Sequence, residues 1–457
     1  MQTLKCKEIV EATNGKLISG SLETIFKGLS TDSRKINEGD IFIPIVGSNF
    51  DGHDFIDAAL KEGALGTVTD RDIAVSGDKA VIKVENTTKA LGDIAAYYRR
   101  KFRIPFVGIT GSVGKTSTKD MISSVLEQEF NVLKTEGNFN NEIGLPLTLL
   151  ELESCHEVGV IEMGMSNFGE IRRLSLITRP DIAVITNIGM SHIEKLGSRQ
   201  NILKAKMEIF EGLNKDGLVV LNGDDNLLYG LKGLLPFRTV FYGMDEGLDY
   251  TAYNVETAGE KGTRFKITIG NEEYEFFVPV PGVHNIYNAL AAIAVGVELK
   301  VPVNKIIKGI GAFVPGKMRL NIISNNDMKI INDAYNASPH SMKAAIDVLK
   351  EIAGASRAIA VLGDMLEMGE WASDAHAEVG EYAFYSGIDY IITVGENAKN
   401  IASGSMKAGM QPERIFSFDN NKESIAFLKG FVKPGDTILV KGSRGMKMEE
   451  IVESLLK

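Results

Sequence analysis

Gly108 to Ser117 read Gly-Ile-Thr-Gly-Ser-Val-Gly-Lys-Thr-Ser, and few folds accommodate such a passage. The apolar run Ile104 to Ile109 predicts a buried strand, and Met121, Ile122, Val125 and Leu126 recur at helical spacing, predicting a helix over 119–130. Strand, glycine loop and helix in that order are the context of a phosphate-binding P-loop. Glycines let backbone N–H groups close around phosphate oxygens, and the helix N-terminus adds partial positive charge. The candidate nucleotide contacts are therefore Thr110, Gly111, Ser112, Gly114, Lys115, Thr116 and Ser117. Among them Lys115 can reach the β- and γ-phosphates, and the Thr116 hydroxyl can ligate Mg²⁺. The strict pattern would place glycine at position 109, but Ile109 stands there, with Thr110 and Gly111 following. The passage predicts binding of a nucleoside triphosphate.

With 457 residues the chain has length for about three domains. Its net charge of −10 argues against nucleic acid as a partner, because a phosphate backbone demands clustered Lys and Arg. Cys6 and Cys155 are the only cysteines and offer neither a disulfide framework nor zinc-ligand spacing, which suits a reducing compartment. The N-terminus lacks the apolar core of an export signal, and the longest apolar run, Ala289 to Val297, is too short to span a bilayer. A cytoplasmic, monomeric protein without membrane insertion is expected.

Taken in order, residues 1–84 form a small α/β unit. A helix over 4–13 closes at Asn14-Gly15, and Thr31-Asp32-Ser33-Arg34 opens a segment of short strands and turns. Gly39 to Pro44 and Gly47 to Phe55 are its polar landmarks, followed by a helix over 58–66 and a strand over 66–70. Residues 85–313 begin with a helix over 87–102 and then alternate strands and helices, as a doubly wound parallel sheet does. Val158 to Met163 is an apolar strand with Glu162 near its carboxyl end, where an open α/β sheet faces its ligand. Asp181 to Thr186 is another, and His192 lies just beyond it, placed for a metal or phosphate role. The helix over 201–213 carries Lys204 and Lys206, residues that ordinarily face solvent. Strands over 218–222 and 238–242 follow, then antiparallel strands over 250–280 and a small-residue helix over 289–299. Asn285 and Asn288, near that helix start, can either cap it or face a base. After the linker Gly311 to Gly316, residues 314–457 form a second, Rossmann-like α/β series with strands over 329–333, 358–362, 390–394 and 437–440.

At these residues the chain resembles the Mur ligases, the ATP-dependent amide-forming enzymes of peptidoglycan assembly. The likeness rests on Thr110 to Thr116, the Glu162 strand, Asn187 with His192, His284-Asn285-x-x-Asn288, Arg319 and Asp333, and covers essentially the whole chain. The departure at Ile109 belongs to the same pattern. Gly137 to Pro146, Asp333 to Pro339 and Leu362 to Glu370 are similar to the member that joins D-alanyl-D-alanine to UDP-N-acetylmuramoyl-tripeptide. The Asp-Asn-Pro-Arg motif of the sibling adding the third amino acid is absent.

The resemblance implies a UDP-substrate domain, a central ATPase domain and a C-terminal domain that completes the ATP site. It implies ATP and Mg²⁺ as cofactors, and a reaction in which a carboxylate takes the γ-phosphate before the incoming amine displaces it. Lys115, His192 and Lys206 become the catalytic candidates, with Thr116 and Glu162 on one Mg²⁺ and His192 serving a second. Lys206 matches a lysine that many members carry as a carbamate, formed with CO₂. Asn285 and Asn288 would address adenine, Arg319 the phosphates and Asp333 the ribose, while Ser33, Arg34, Gly47 and His53 are the candidates for the uridine nucleotide. A sibling ligase, including a folylpolyglutamate-type enzyme, differs in acceptor. A P-loop switch module would form no amide, and a P-loop kinase would leave phosphate on an isolable product.

Overall fold

The computed structural model describes residues 1–47, 49–73 and 77–457. Ser48, within the Gly47 to Phe55 landmark, lies outside the described residues. The architecture is α/β throughout, in three sheet-centred units.

The central sheet has seven strands, all parallel, in the spatial order Tyr250–Thr251, Arg238–Gly243, Leu218–Asn222, Ile182–Ile185, Phe106–Thr110, Val158–Glu162, Val132–Lys134. Side chains along these strands alternate between two cores. Val107, Ile109, Val160 and Val184 pack toward helices Lys115–Leu126, His284–Glu298 and Val303–Gly311. Phe106, Ile161, Ala183 and Ile185 pack toward Thr87–Arg99, Gly144–Leu150 and Glu170–Thr178 on the opposite face. Burial on both faces is why these strands read as unbroken apolar runs. Phe106–Thr110 is flanked on one side by Val158–Glu162 and on the other by Ile182–Ile185, so the direction of winding reverses at its carboxyl end. That reversal opens a crevice, and the P-loop lies in it.

The N-terminal unit is a five-stranded sheet ordered Lys16–Ser19, Ala80–Lys83, Gly66–Thr69, Asp40–Phe42, Gly28–Ser30, with only the first strand antiparallel. Helix Thr87–Arg99 joins it to the central sheet, because Tyr98 Oη accepts from Gln2 N at 2.6 Å and donates to Leu152 O at 2.7 Å. The C-terminal sheet has six strands, five parallel and one antiparallel edge, Asn321–Asn325. Among the described residues, no helix is long and apolar enough to cross a membrane, and Cys6 and Cys155 are both free thiols.

Several elements differ from the sequence reading, among them the helix expected over 289–299, which begins at His284 and so contains Asn285 and Asn288, and the helix expected over 58–66, which spans Ile56–Lys61. The helix expected from 119 begins at Lys115, one residue after Gly114 with φ 82°. Tyr250–Thr251 is not antiparallel; it pairs in parallel with Tyr242 and Gly243 and closes the central sheet's edge. The antiparallel sheet comprises Tyr253–Thr257, Thr263–Ile269 and Glu272–Val278. Strand Asn321–Asn325, too short and polar to read as a strand, is formed by pairing with Met328–Asp333 through a two-residue turn. Asn326 and Asp327 both adopt positive φ there, 48° and 60°, as tight hairpins require.

Candidate active site

The P-loop is shaped by the strand beside it. Thr186 Oγ1 donates to Val113 O at 2.6 Å. Asn187 grips the same residue twice, accepting from Val113 N at 3.0 Å and donating to Val113 O at 2.9 Å. Gly111 lies against this clasp, where a Cβ would overlap Thr186 Oγ1. Forcing an extra methyl into such packing costs about 1–3 kcal/mol. Gly111→Ala is therefore expected to weaken nucleotide binding roughly tenfold or more. A nucleotide titration giving wild-type affinity would show that the loop is not preset by the clasp.

Around the loop the structure gathers cationic groups against one carboxylate. Lys115 Nζ donates to Gly111 O at 2.8 Å. Burial pushes the Lys115 ammonium below its ordinary value; Glu162 opposes that shift and Arg319 adds to it. Glu162 is 1% exposed. Its Oε1 accepts from Asn140 Nδ2 at 2.7 Å, while Oε2 is buried without a hydrogen-bond partner among the described residues. An orphaned carboxylate oxygen is costly unless something cationic meets it.

Lys206 is also 1% exposed, whereas Lys204 on the same helix faces solvent. The solvated reading therefore fails for Lys206. Burial, and secondarily the charge of Lys115, holds its amine well below the usual lysine range. His192 has φ 63° and caps helix Ile193–Leu196. Its Nδ1 lies 2.5 Å from Glu367 Oε2, in contact without hydrogen-bond geometry. Burial lowers its pKa, Glu367 opposes, and Lys115 and Lys206 add to the lowering.

Among the described residues, no three His, Cys, Asp or Glu side chains form a ready-made metal cage. That suits Mg²⁺, which is commonly held by one or two carboxylates together with substrate phosphates. The unpartnered Glu162 Oε2 and the Thr116 hydroxyl are oxygen donors of the right kind.

The C-terminal domain completes the crevice. Arg319 Nη2 donates to Thr116 Oγ1 at 2.9 Å, and its guanidinium stacks 4.1 Å from the Tyr335 ring. Glu194 N donates to Glu367 O at 3.4 Å. Asp333 Oδ2 accepts from buried Lys441 at 2.5 Å, and its Oδ1 accepts from Leu320 N at 3.2 Å. On the central side Thr118 Oγ1 donates to Asn288 Oδ1 at 2.8 Å, Asn288 Nδ2 to Asn285 Oδ1 at 3.0 Å, and Asn285 Nδ2 to Pro281 O at 2.8 Å. This relay fastens helix His284–Glu298 to the P-loop helix.

His284 borders Asp333. Burial holds its imidazole down to about 4 from 6.5, with Asp333 opposing and His340 and Lys441 adding. Between those values the unfolded chain binds more protons than the folded one, so stability falls as pH drops from about 6.5 to about 4. The full shift is worth about 3 kcal/mol, and residual solvent contact at His284 reduces it to on the order of 2 kcal/mol. His284→Gln is expected to flatten the acid side of the stability profile by that amount. Parallel melting-temperature slopes for variant and wild type over this window would contradict it.

The candidates in the N-terminal unit lie on loops leaving the carboxyl ends of two adjacent parallel strands. Ser33 and Arg34 follow Gly28–Ser30, and Arg34, its side chain 86% exposed, pairs with Asp32 through two 2.9 Å hydrogen bonds. Gly47 and His53 follow Asp40–Phe42, with Gly47 N donating to Phe50 O at 2.9 Å. His53 is buried, with Nδ1 2.7 Å from Asp51 and Nε2 3.0 Å from Asp70.

Sequence comparison agrees with this geometry. Three family profiles match: "Mur ligase family, catalytic domain" over 25–99, "Mur ligase middle domain" over 109–296, and "Mur ligase, glutamate ligase domain" over 318–444. A UDP-N-acetylmuramoyl-tripeptide–D-alanyl-D-alanine ligase of Bacillus subtilis (strain 168) is 42% identical, covering 99% of this chain and 98% of the relative. The chain belongs to the Mur ligase family. A MurF crystal structure from Acinetobacter baumannii superposes on this Mur ligase with TM-score 0.93 at 30% identity, over 100% of this chain and 99% of the other. A Thermotoga maritima MurF in complex with ADP gives 0.83 at 30% identity, over 93% and 96%.

Four residues of this Mur ligase's crevice had no assigned role in the sequence reading: Asn140 on Glu162, Asn187 on the P-loop, Glu367 at His192 and Lys441 on Asp333. Each lies in a polar passage after an apolar run. That signal marks a loop at a sheet's ligand end but does not give its partner.

Proposed function

We propose that this ligase joins D-alanyl-D-alanine to UDP-N-acetylmuramoyl-tripeptide, converting ATP to ADP and phosphate through an acyl phosphate, as a step in peptidoglycan precursor synthesis. The observation that carries the reading is one crevice built from two domains. It sets Lys115 beside Glu162, and Arg319 reaches across to Thr116. The full-length relatives named as D-alanyl-D-alanine ligases support the choice of acceptor, and the ADP complex of the Thermotoga maritima structure supports the use of ATP.

A carboxylate is a poor electrophile, so it is activated first. Its oxygen attacks the γ-phosphate, the bond to the β-γ bridging oxygen breaks, and ADP departs. The amine of the dipeptide then attacks the acyl carbon, loses its proton, and expels phosphate. Both partners in the first step are anions. Lys115 and Arg319 hold the phosphates and offset the charge that develops on them. Thr116 and Glu162 would hold one Mg²⁺, and His192 with Lys206 as a carbamate a second; such ions, when bound, would neutralise phosphate charge. Asn285 and Asn288 are the proposed adenine contacts and Asp333 the ribose contact, with Lys441 and Leu320 N fixing its carboxylate.

Residues 1–84 are the proposed UDP-substrate domain, with Ser33, Arg34, Gly47 and His53 as contacts, 85–313 the ATPase domain and 314–457 the closing domain. The ATP site is completed within one chain, which supports action as a monomer, and its use of ATP suits the cytoplasm. The test is ADP release with UDP-muramoyl tripeptide, comparing D-alanyl-D-alanine with single amino acids, and mass analysis of the product. Turnover that depends on the dipeptide and yields the amide is expected. ADP release indifferent to the acceptor, or an isolable phosphorylated product, would overturn the reading.

A further inference from the structure

At the end of the central sheet opposite the P-loop, a cavity of about 420 Å³ opens beside the amino ends of strands Phe106–Thr110 and Ile182–Ile185. Its wall carries Arg99, Arg100, Arg103 and Arg179, against a single carboxylate, Asp181. The catalytic crevice uses none of them.

Their bonding separates an anchor from two free ends. Arg99 is buried and its guanidinium is fixed by carbonyls, donating to Thr178 O at 2.7 Å, Phe102 O at 3.1 Å and Arg179 O at 3.3 Å. Asp181 is committed as well, accepting from Phe106 N at 2.8 Å and from Asn214 Nδ2 at 2.6 Å. Arg100 Nε donates to Ala96 O at 3.1 Å. The side chains of Arg103 and Arg179 are exposed and make no hydrogen bond or ion pair among the described residues. Four guanidinium groups thus share one carboxylate, in a chain with 60 acidic and 50 basic residues.

The backbone points the same way. Arg179 closes helix Glu170–Thr178 with φ 50°, the left-handed position where glycine is the usual residue. A side chain there costs stability, and this one makes no hydrogen bond or ion pair among the described residues in return. Guanidinium forks match phosphate oxygens in pairs, and the volume lies within the range of small-molecule sites.

We propose that this cavity is a second anion site, which takes a small phosphoanhydride anion of the pyrophosphate class between Arg103 and Arg179. Bound there, the anion would bridge the loop leading into the P-loop strand and the end of helix Glu170–Thr178.

The experiment is calorimetric titration of the full-length enzyme with inorganic pyrophosphate at about 0.15 M salt, with a non-hydrolysable ATP analogue saturating the P-loop. Wild type and Lys115→Ala are expected to bind pyrophosphate alike, and Arg103→Gln/Arg179→Gln is expected to bind at least tenfold more weakly with an unchanged melting temperature. Because both side chains are exposed and unbonded, the double variant should fold; each single variant, expected to lose part of the affinity, checks this independently. Equal binding by wild type and double variant, displacement of pyrophosphate by the ATP analogue, or no heat with wild type would each overturn the proposal.

Discussion

Lys115→Ala is expected to lower ADP release about a hundredfold while leaving the melting temperature within a few degrees of wild type. The ammonium lies in a buried crevice with Glu162 and Arg319 as its charged neighbours, and its one hydrogen bond, to Gly111 O, belongs to the loop and not to either core. Losing a preorganised cation where phosphate charge develops costs on the order of 3 kcal/mol of transition-state stabilisation. Water entering the vacated space restores only part of it, because a solvent dipole must reorganise and a fixed ammonium need not. Arg319 reaches the loop through Thr116 Oγ1, so a residue of turnover should survive. Steady-state ADP release beside thermal denaturation measures both halves, and near-normal turnover would remove Lys115 from the mechanism.

Lys206→Met is expected to cost at least as much activity and to raise stability in metal-free, CO₂-free buffer. Lys206 is fully buried, and the charged neighbour acting on its amine is cationic Lys115. The sign follows from proton counting. The folded amine has a depressed pKa, so in the window between its folded and unfolded values the unfolded chain binds more protons and wild-type stability rises with pH. Methionine fills a similar volume without that penalty, and a gain of a few degrees is expected. The neutral amine is the form that reacts with CO₂, and the resulting carbamate exchanges a buried cation for two oxygens suited to a hard metal. Wild-type activity should fall when bicarbonate is excluded and return when it is restored, with a carbamate carbon signal from ¹³C-bicarbonate that Lys206→Met lacks. An active Lys206→Met enzyme would refute a metal-organising role. A bicarbonate-independent wild type without that signal would refute the carbamate.

These two lysines show what a linear reading reaches. Lys115 is legible because strand, glycines and helix dipole are local, and backbone N–H groups a few residues apart converge whatever surrounds them. The parallel sheets are legible for a related reason: strands buried on both faces are apolar along their length, as Val158–Ile161, Ile182–Ile185 and Leu218–Leu221 are, with polar residues entering only at the carboxyl ends. Asn321–Asn325 was not, although Asn326-Asp327 is a turn signal, because a polar edge strand takes its identity from the strand it pairs with.

By itself, then, the sequence determined the local chemistry: a P-loop after a buried strand, an acid at the carboxyl end of another, and three α/β units. Tertiary structure decided which groups meet. Lys204 and Lys206 stand two residues apart on one helix, so helical geometry alone sends them to different faces. Only the packing of Arg199–Met207, which turns Ile202, Ala205 and Lys206 inward, made one solvated and the other buried beside Lys115. Glu367 meets His192, and Arg319 meets Thr116, across a domain boundary. Such contacts depend on how whole surfaces fit, summed over many side chains, and no local run of residues encodes that sum.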